Sequence, residues 1–237
     1  MNNSIETIPL LNLSLSFIPA LLVIGILFKW SLNATNALYA VSRMLVQLLL
    51  IGYFLTFIFD SDNAGIIIVI LAVMVFASSW IALGTVAERR LQLYKHALLA
   101  IAFGGGITLV LVTQAVLGLD PWYSPQSMVP IAGMIFANAM NSVSLSAERL
   151  NAEMDRKVPY EEARNIAFQS SLIPVINSLF AVGLVSLPGM MTGQILSGVS
   201  PLIAVRYQIM VMCMVFGASG IATAYFLVRV RPVFERE

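Results

Sequence analysis

Between two long apolar runs, residues 185–201 read VSLPGMMTGQILSGVSP, which holds three glycines, two prolines and no charged residue. Proline and glycine at this density interrupt a helix, so the stretch does not fit a continuous transmembrane helix. A water-exposed loop, in contrast, does not usually stay free of charge. The intermediate solution is a broken or re-entrant segment whose backbone polar groups face protein or a water-filled path instead of lipid. The stretch therefore predicts a membrane protein that moves a substance across the bilayer.

The composition excludes a soluble globular domain. Charged residues make up 11% of the 237-residue chain and hydrophobic residues 59%, with a mean hydropathy of +0.89, whereas soluble domains carry about 25% charged residues. The single cysteine and the single histidine exclude a disulfide framework and the usual zinc sites. We therefore expect no cofactor and no metal site. The net charge of +1 gives no indication of a nucleic-acid partner.

Long apolar runs predict an all-α polytopic membrane protein that forms one permease domain over residues 1–237. A spanning helix needs about 20 mostly apolar residues. No basic residue precedes the first run, so we expect that run to stay as a helix and not to be cleaved as a secretory signal. We predict about seven spans, at residues 8–28, 40–59, 64–83, 97–117, 128–147, 169–187 and 202–228.

Basic residues predict the orientation of these spans, because cytoplasmic loops carry an excess of Lys and Arg. Twelve of the thirteen basic residues fall on one side. The opposite connections contain Asp60, Asp62 and Asp120 and no basic residue. The pattern predicts an amino terminus outside and a carboxy terminus inside. The inner side carries Lys29, Arg43, Arg89, Arg90, Lys95, Arg149, Arg156, Lys157, Arg164, Arg229, Arg231 and Arg236.

Polar side chains recur at helical spacing inside several predicted spans, where they must face other helices or water. The simpler interpretation is hydrogen bonding between helices, worth about 0.6 kcal/mol per bond on average. Their convergence with a broken segment favours a transport pathway. The predicted pathway and gate residues are Arg43, Gln47, Asn138, Asn141, Ser142, Asn177, Arg206 and Gln208.

Arg206 is the one basic residue that falls inside a predicted span, on its outer half. An Arg in the middle of a bilayer costs at least about 2.5–3.5 kcal/mol on insertion scales. One interpretation is a gate residue; the other is an Arg that reaches the outer headgroups or the carbonyl groups of the broken segment. Bending of the segment and of the span before it is assigned to Pro174, Pro188, Gly189, Gly193 and Gly198.

Two further patterns have a simple packing explanation. Gly104, Gly105 and Gly106 follow one another in the fourth span, which indicates close helix packing or a flexible point more often than a ligand site. Methionines at positions 190, 191, 210, 212 and 214 offer ligands for a soft metal, although methionine more often fills gaps between helices.

Residues for catalysis are missing from the sequence. No GxxxxGK[ST] string is present, so this chain does not bind ATP through a phosphate-binding loop. No nucleophile–base pair or metal-ligand spacing is found, and carboxylates occur only at the ends of predicted spans. We predict that the chain is not an enzyme and that no residue is catalytic.

The inner loop at residues 148–168 reads ERLNAEMDRKVPYEEARNIAF and is the only sizeable connection. Glu161 and Glu162 follow Pro159, an arrangement that suits a helix amino terminus. We predict a short helix on the cytoplasmic face that an energy-supplying subunit contacts through Glu161, Glu162 and Arg164. The alternative is a solvated loop.

Several sequence strings resemble one known family, the ATP-binding-cassette permeases that include the bacterial iron-export permease and the plant aluminium-tolerance permease. The resemblance extends from about residue 40 to the carboxy terminus, and the LPGMMTGQIL string is specific. The strings are SRMLVQLLLIGY (42–53), VPIAGMIFANAM (129–140), AERL (147–150), LIPVINS (172–178), GLVSLPGMMTGQILSG (183–198) and a stretch from 201 to 209 that ends in RYQI.

The resemblance implies a membrane subunit that pairs with a separate cytoplasmic ATPase, normally as two permeases and two ATPases. It implies iron efflux for bacterial members and transport of a nucleotide-sugar such as UDP-glucose for the plant complex. Two departures stand out. Ala137 replaces a glycine of the family, and the Leu-Gly-Ala-Thr turn that docks the ATPase is not found between residues 155 and 167.

The leading hypothesis is therefore the permease subunit of an ATP-driven exporter of iron or another metal species, placed as a homodimer in a bacterial inner membrane. One alternative is a channel or secondary transporter that needs no ATPase, which the shortened loop favours. A nucleotide-sugar exporter subunit is another. A membrane scaffold or sensor without flux is a further possibility.

Overall fold

The computed structural model describes residues 8–61 and 63–234, and this part of the chain is helical and contains no strand. The prediction of an all-α polytopic membrane protein is confirmed. Asp62 and Arg236, which entered the orientation argument, lie outside the described residues. The orientation itself stays a prediction.

The chain divides into two compact units, which are described separately. The amino-terminal unit, up to Ser61, contains α1 (Leu10–Leu15), α2 (Phe17–Lys29) and α3 (Ala34–Phe59). The carboxy-terminal unit contains α4 (Ala64–Ala82), a 3-10 segment (Leu83–Arg89), α5 (Arg90–Val110), a π-helical turn (Leu111–Val116), α6 (Pro125–Asp155), α7 (Tyr160–Ala181), α8 (Gly189–Leu196) and α9 (Pro201–Phe234).

Local side-chain chemistry explains where several helices begin. The side chain of Asn33 accepts a hydrogen bond from the backbone N–H of Asn36, and the side chain of Asn63 accepts one from that of Gly65. These bonds cap the free donors at the starts of α3 and α4. Pro125 occupies the first position of α6, where a missing N–H has no cost.

Within the described residues, five helical stretches are long and apolar enough to cross a membrane: Leu10–Lys29, Ala34–Phe59, Ala64–Val116, Pro125–Asp155 and Pro201–Phe234. The third has 53 residues, more than twice the length that spans a bilayer. Val86, with φ −121° and ψ 53°, breaks it between the predicted spans 64–83 and 97–117. The predicted span at 169–187 corresponds to α7, which is too polar to be among the five.

In the carboxy-terminal unit, α5, α6 and α9 pack against one another, and α4 and α7 cover this centre. The contact between α5 and α9 is very close. A methyl group on Gly104 would lie 2.5 Å from the backbone nitrogen of Ala222, and one on Gly105 would lie 2.7 Å from the ring of Phe136. The packing interpretation of the glycine triplet is confirmed at these two positions. Gly106 faces open space.

Candidate functional site

The stretch between α7 and α9 is broken twice and contains one short helix. Helix α7 ends at Ala181, and Gly183 then takes a left-handed φ of +82°. Its N–H donates to the carbonyl of Ser186 and closes a turn. Eight residues form α8, Gly198 takes a φ of +89°, and α9 starts at Pro201. The broken segment predicted from the sequence is therefore present.

The predicted span at 169–187 ends too late, because the helix stops at Ala181. Val182 is extended, and the turn at Gly183 needs a backbone conformation that L-residues with a side chain rarely adopt. The hydrophobic run continues through this turn, so apolarity alone could not locate the break. A glycine just after a helical run was the available signal, and sequence reasoning missed it.

The predicted hinge residues occupy different parts of this segment. Pro188 immediately precedes α8, Gly189 begins it, and Gly193 lies inside it with open space where a side chain would be. Gly198 forms the turn before α9. Helix α7 continues through Pro174, whose carbonyl accepts a hydrogen bond from the Ser178 hydroxyl at 2.9 Å. Their role in bending stays a prediction.

A cavity of about 470 Å³, named here the α6 cavity, lies beside α8. The first turns of α6, the first turns of α9 and the loop after the π-helical turn complete its wall. The amide oxygen of Gln194 is buried and has no hydrogen-bond partner among the described residues. The cavity is lined by Leu117, Leu119, Gln126, Ser127, Pro130, Ile131, Met134, Met190, Gln194, Tyr207 and Met210.

A second cavity, of about 300 Å³ and named here the α7 cavity, is formed by the turn after α7, by α8 and by α9. Adjacent residues of α8 thus line different cavities: Met190 lines the α6 cavity and Met191 the α7 cavity. The broken segment lies between two chambers. The α7 cavity is lined by Val182, Gly183, Met191, Val205, Gln208, Ile209, Met212 and Cys213.

The structure distributes the predicted pathway residues of the carboxy-terminal unit over several environments. Gln208 is buried and lines the α7 cavity. Ser142 is buried within α6, and the half-buried Asn138 donates to the carbonyl of Met134 in its own helix at 2.8 Å. Asn141 and Asn177 are exposed on α6 and α7. Of this group, only Gln208 lines one of the two cavities.

Arg206 is exposed at the start of α9 and lines neither cavity, although its neighbours Tyr207 and Gln208 line one each. This position suits the interpretation in which the side chain reaches the headgroup region. Arg43 and Gln47 lie on α3 in the amino-terminal unit, where both are exposed.

At the predicted inner face, α6 and α7 are joined directly by the turn at residues 156–159. The loop predicted at 148–168 is therefore made of two helix ends, and no separate short helix lies in this described stretch. Glu161 lies 3.9 Å from Arg231, and Arg164 donates to the side chain of Asn165. Glu162 is exposed.

An ion cluster around the buried Glu153 supports these helix ends. Glu153, 4% exposed, lies 2.7 Å from Arg149 and 3.5 Å from Arg156. The Tyr160 hydroxyl donates to the carbonyl of Leu227, which ties the start of α7 to α9. Beside this cluster, a polar cavity of about 350 Å³ opens between the 3-10 segment and α6, with Thr85, Glu88, Arg89, Asn151 and Asp155 in its wall.

Hard-metal ligands do not cluster in the described part of the chain. No group of three or more His, Cys, Asp or Glu residues there can hold a metal ion. Beside the broken segment, the two cavities are instead lined by Met, Cys, Gln, Ser and Tyr residues among apolar ones. The arrangement leaves two chambers between helices in which a small guest has room.

Comparison with known proteins gives one family. The model of the uncharacterised protein family UPF0014 matches residues 10–164 and 155–234. The two matched ranges overlap at residues 155–164, where α6 and α7 are joined. No solved structure gives a significant match.

Three curated relatives share about a third of their residues with the chain. The UPF0014 membrane protein slr1647 of Synechocystis is 34% identical over 83% of both chains. The Probable iron export permease protein FetB of Escherichia coli is 32% identical over 90% of this chain and 87% of its own. Protein ALUMINUM SENSITIVE 3 of Arabidopsis thaliana is 34% identical over 85% of this chain and 79% of its own.

Proposed function

Because the chain belongs to the UPF0014 family of multi-pass membrane proteins, we propose that it is the permease subunit of an ATP-driven exporter. The cargo is iron or another metal species, and the complex lies in a bacterial inner membrane. A relative named as a probable iron export permease, similar over 87% of its length, supports this assignment. The chain itself carries out no reaction.

The observation that carries the proposal is the twice-broken segment with a chamber on each side. Glycines at both turns let α8 move relative to α7 and α9 without breaking their internal hydrogen bonds. Irregular backbone at membrane depth is tolerated where it lines a cavity, and the broken helices of transporters are an example. We assign α8 as the moving part of the pathway.

Energy enters from a separate ATPase, since no phosphate-binding loop occurs in the sequence. The contact surface comprises the inner ends of α6 and α7, with Glu161, Glu162 and Arg164, and the adjacent polar cavity at the 3-10 segment. When the ATPase closes, it pushes these helix ends. The motion reaches the broken segment through α7, which ends at its first turn.

Two copies of the permease complete the complex. Asn141 and Asn177 are exposed on helices of the carboxy-terminal unit, and amide groups facing lipid are costly. A second copy that covers them would remove this cost.

An ATPase-independent channel is the second candidate. The direct joint between α6 and α7, without a separate coupling helix in this described stretch, favours it. The two candidates differ in one measurable property, which is the need for ATP.

The test is flux into inside-out vesicles made from cells that express the tagged chain with its native genomic neighbours. We expect ATP-dependent uptake of Fe(II), and we expect an ATPase to co-purify with the tag. Uptake without ATP and without a partner would support the channel. Uptake of UDP-glucose in place of metal would support the nucleotide-sugar exporter. A lack of any flux would refute a transport function.

A further inference from the structure

Three sulfur-containing residues line the α7 cavity. Met191 comes from α8, and Met212 and Cys213 come from α9. The side chain of Gln208 lines the same chamber, one helical turn before Met212. Gln208 is only 5% exposed, and its amide oxygen has no hydrogen-bond partner among the described residues.

The chemistry of this lining selects one class of guest. Thioether and thiol sulfur are soft ligands that prefer Cu(I). No carboxylate or imidazole lines this cavity. Hard cations prefer oxygen ligands, so we expect them to bind weakly in this cavity.

The neighbouring chamber repeats the pattern. Met134, Met190 and Met210 line the α6 cavity together with Gln194, whose amide oxygen is also buried without a partner among the described residues. Met214 of α9 gives the contrast, because it is 2% exposed and belongs to the packed core, as a gap-filling methionine does. Methionine residues therefore line both chambers in addition to filling the core.

We propose that the α7 cavity is a binding site for a soft monovalent cation, Cu(I) or Ag(I), held by Met191, Met212 and Cys213. Its role as a cargo site rests on the proposed function and would add a soft monovalent metal to the iron expected there. Binding itself is a property of the chain alone. The proposal departs from the expectation from the sequence that the chain has no metal site, and that expectation stays a prediction.

The experiment is a titration of the purified full-length protein in detergent with Cu(I), without oxygen and in competition with the chelator bicinchoninate. The test variants are Met191→Leu, Met212→Leu and the double variant. Leucine keeps the volume and removes the sulfur. The matched control is Met214→Leu, the same change two positions along α9.

We expect the double variant to lose affinity by more than about tenfold, a loss that even outer-shell partners of metals can cause. The Met214→Leu protein should bind as the wild type does. X-ray absorption of the copper complex should show sulfur neighbours. If the double variant does not fold, the two single variants give the same comparison.

Three results would overturn the proposal. One is unchanged affinity in the double variant. Another is binding that depends on Cys213 alone, tested with Cys213→Ser, because a single exposed thiol captures soft metals adventitiously. The third is loss of binding in Met190→Leu with Met210→Leu only, which would place the metal in the α6 cavity.

The failure of this proposal can be distinguished from the failure of the proposed function. Fe(II) flux with no Cu(I) affinity would refute the soft-metal site and leave the exporter standing. Cu(I) binding without any ATP-dependent flux would refute the exporter and leave the site standing.

Discussion

Gly104 and Gly106 are two residues apart in α5, yet a methyl group would have opposite effects at the two positions. At Gly104 it would meet the backbone of Ala222, which cannot move aside as a flexible side chain can. At Gly106 nothing lies within 4 Å. A glycine-to-alanine substitution at each position therefore distinguishes the effect of helix packing from the effect of helix propensity.

We predict that Gly104→Ala destabilises the protein by about 1–3 kcal/mol, the usual cost of overpacking. Gly106→Ala should be neutral or stabilising by up to about 1 kcal/mol, because alanine favours a helix. Thermal unfolding in detergent measures both. Equal effects of the two substitutions would contradict the close approach of α5 and α9.

Arg206 gives a prediction about transport. Because the side chain is exposed next to two cavity-lining residues, we expect Arg206→Ala to lower flux several-fold while membrane insertion stays intact. Vesicle uptake and the amount of protein in the membrane fraction are the two measurements. Arg206→Lys is the matched control, since lysine also reaches the headgroups. Normal flux in the alanine variant would leave only the anchoring role.

Among the helices and turns, the sequence predicted that the segment before α9 is broken, but it did not predict where α7 ends. The density of glycine and proline at 185–201 predicted the break. The exact end of α7 was missed because Leu184, Val185 and Leu187 continue the apolar pattern through the turn. Similarly, α6 continues to Asp155 beyond the predicted end at 147, because a helix need not stop where its apolar surface does.

Two of the three glycines of this segment, Gly193 and Gly198, allow a prediction about where it bends. Gly198 has a φ of +89°, so Gly198→Ala should cost about 1–2 kcal/mol and reduce flux. Gly193 lies inside α8 with open space around it, so Gly193→Ala should leave flux near normal and favour the helix. Thermal unfolding and vesicle uptake give the two readouts. A larger loss of flux in Gly193→Ala would move the bend into α8.

For the whole molecule, composition was sufficient to predict a helical membrane protein, because 59% hydrophobic residues leave no other solvent than lipid. The arrangement of chambers was not predictable. Met190 and Met191 are identical neighbours in sequence, and only the packing of α8 assigns them to different cavities. The same limit applies to Asn138, because its helical spacing with Asn141 did not show that its side chain donates to the carbonyl of Met134 in its own helix.

The predicted orientation can be tested on the whole molecule with cysteine labelling, since the chain has one cysteine. In a Cys213→Ser background, Asp60→Cys should react with a membrane-impermeant maleimide added outside intact cells. Lys157→Cys should react only after the cells are opened. The reverse pattern would invert the topology and place the ion cluster of Glu153 outside.

Helix α8 is a short helix of eight residues with a turn on either side. Neighbouring positions on a helix are separated by about 100° around its axis. Rotation of α8 about its axis by that angle would bring one of Met190 and Met191 to the angular position of the other. The backbone could absorb the rotation at Gly183 and Gly198, which form the turns on either side of α8. Cargo released by one chamber would then be received by the next without an open passage ever joining the two sides.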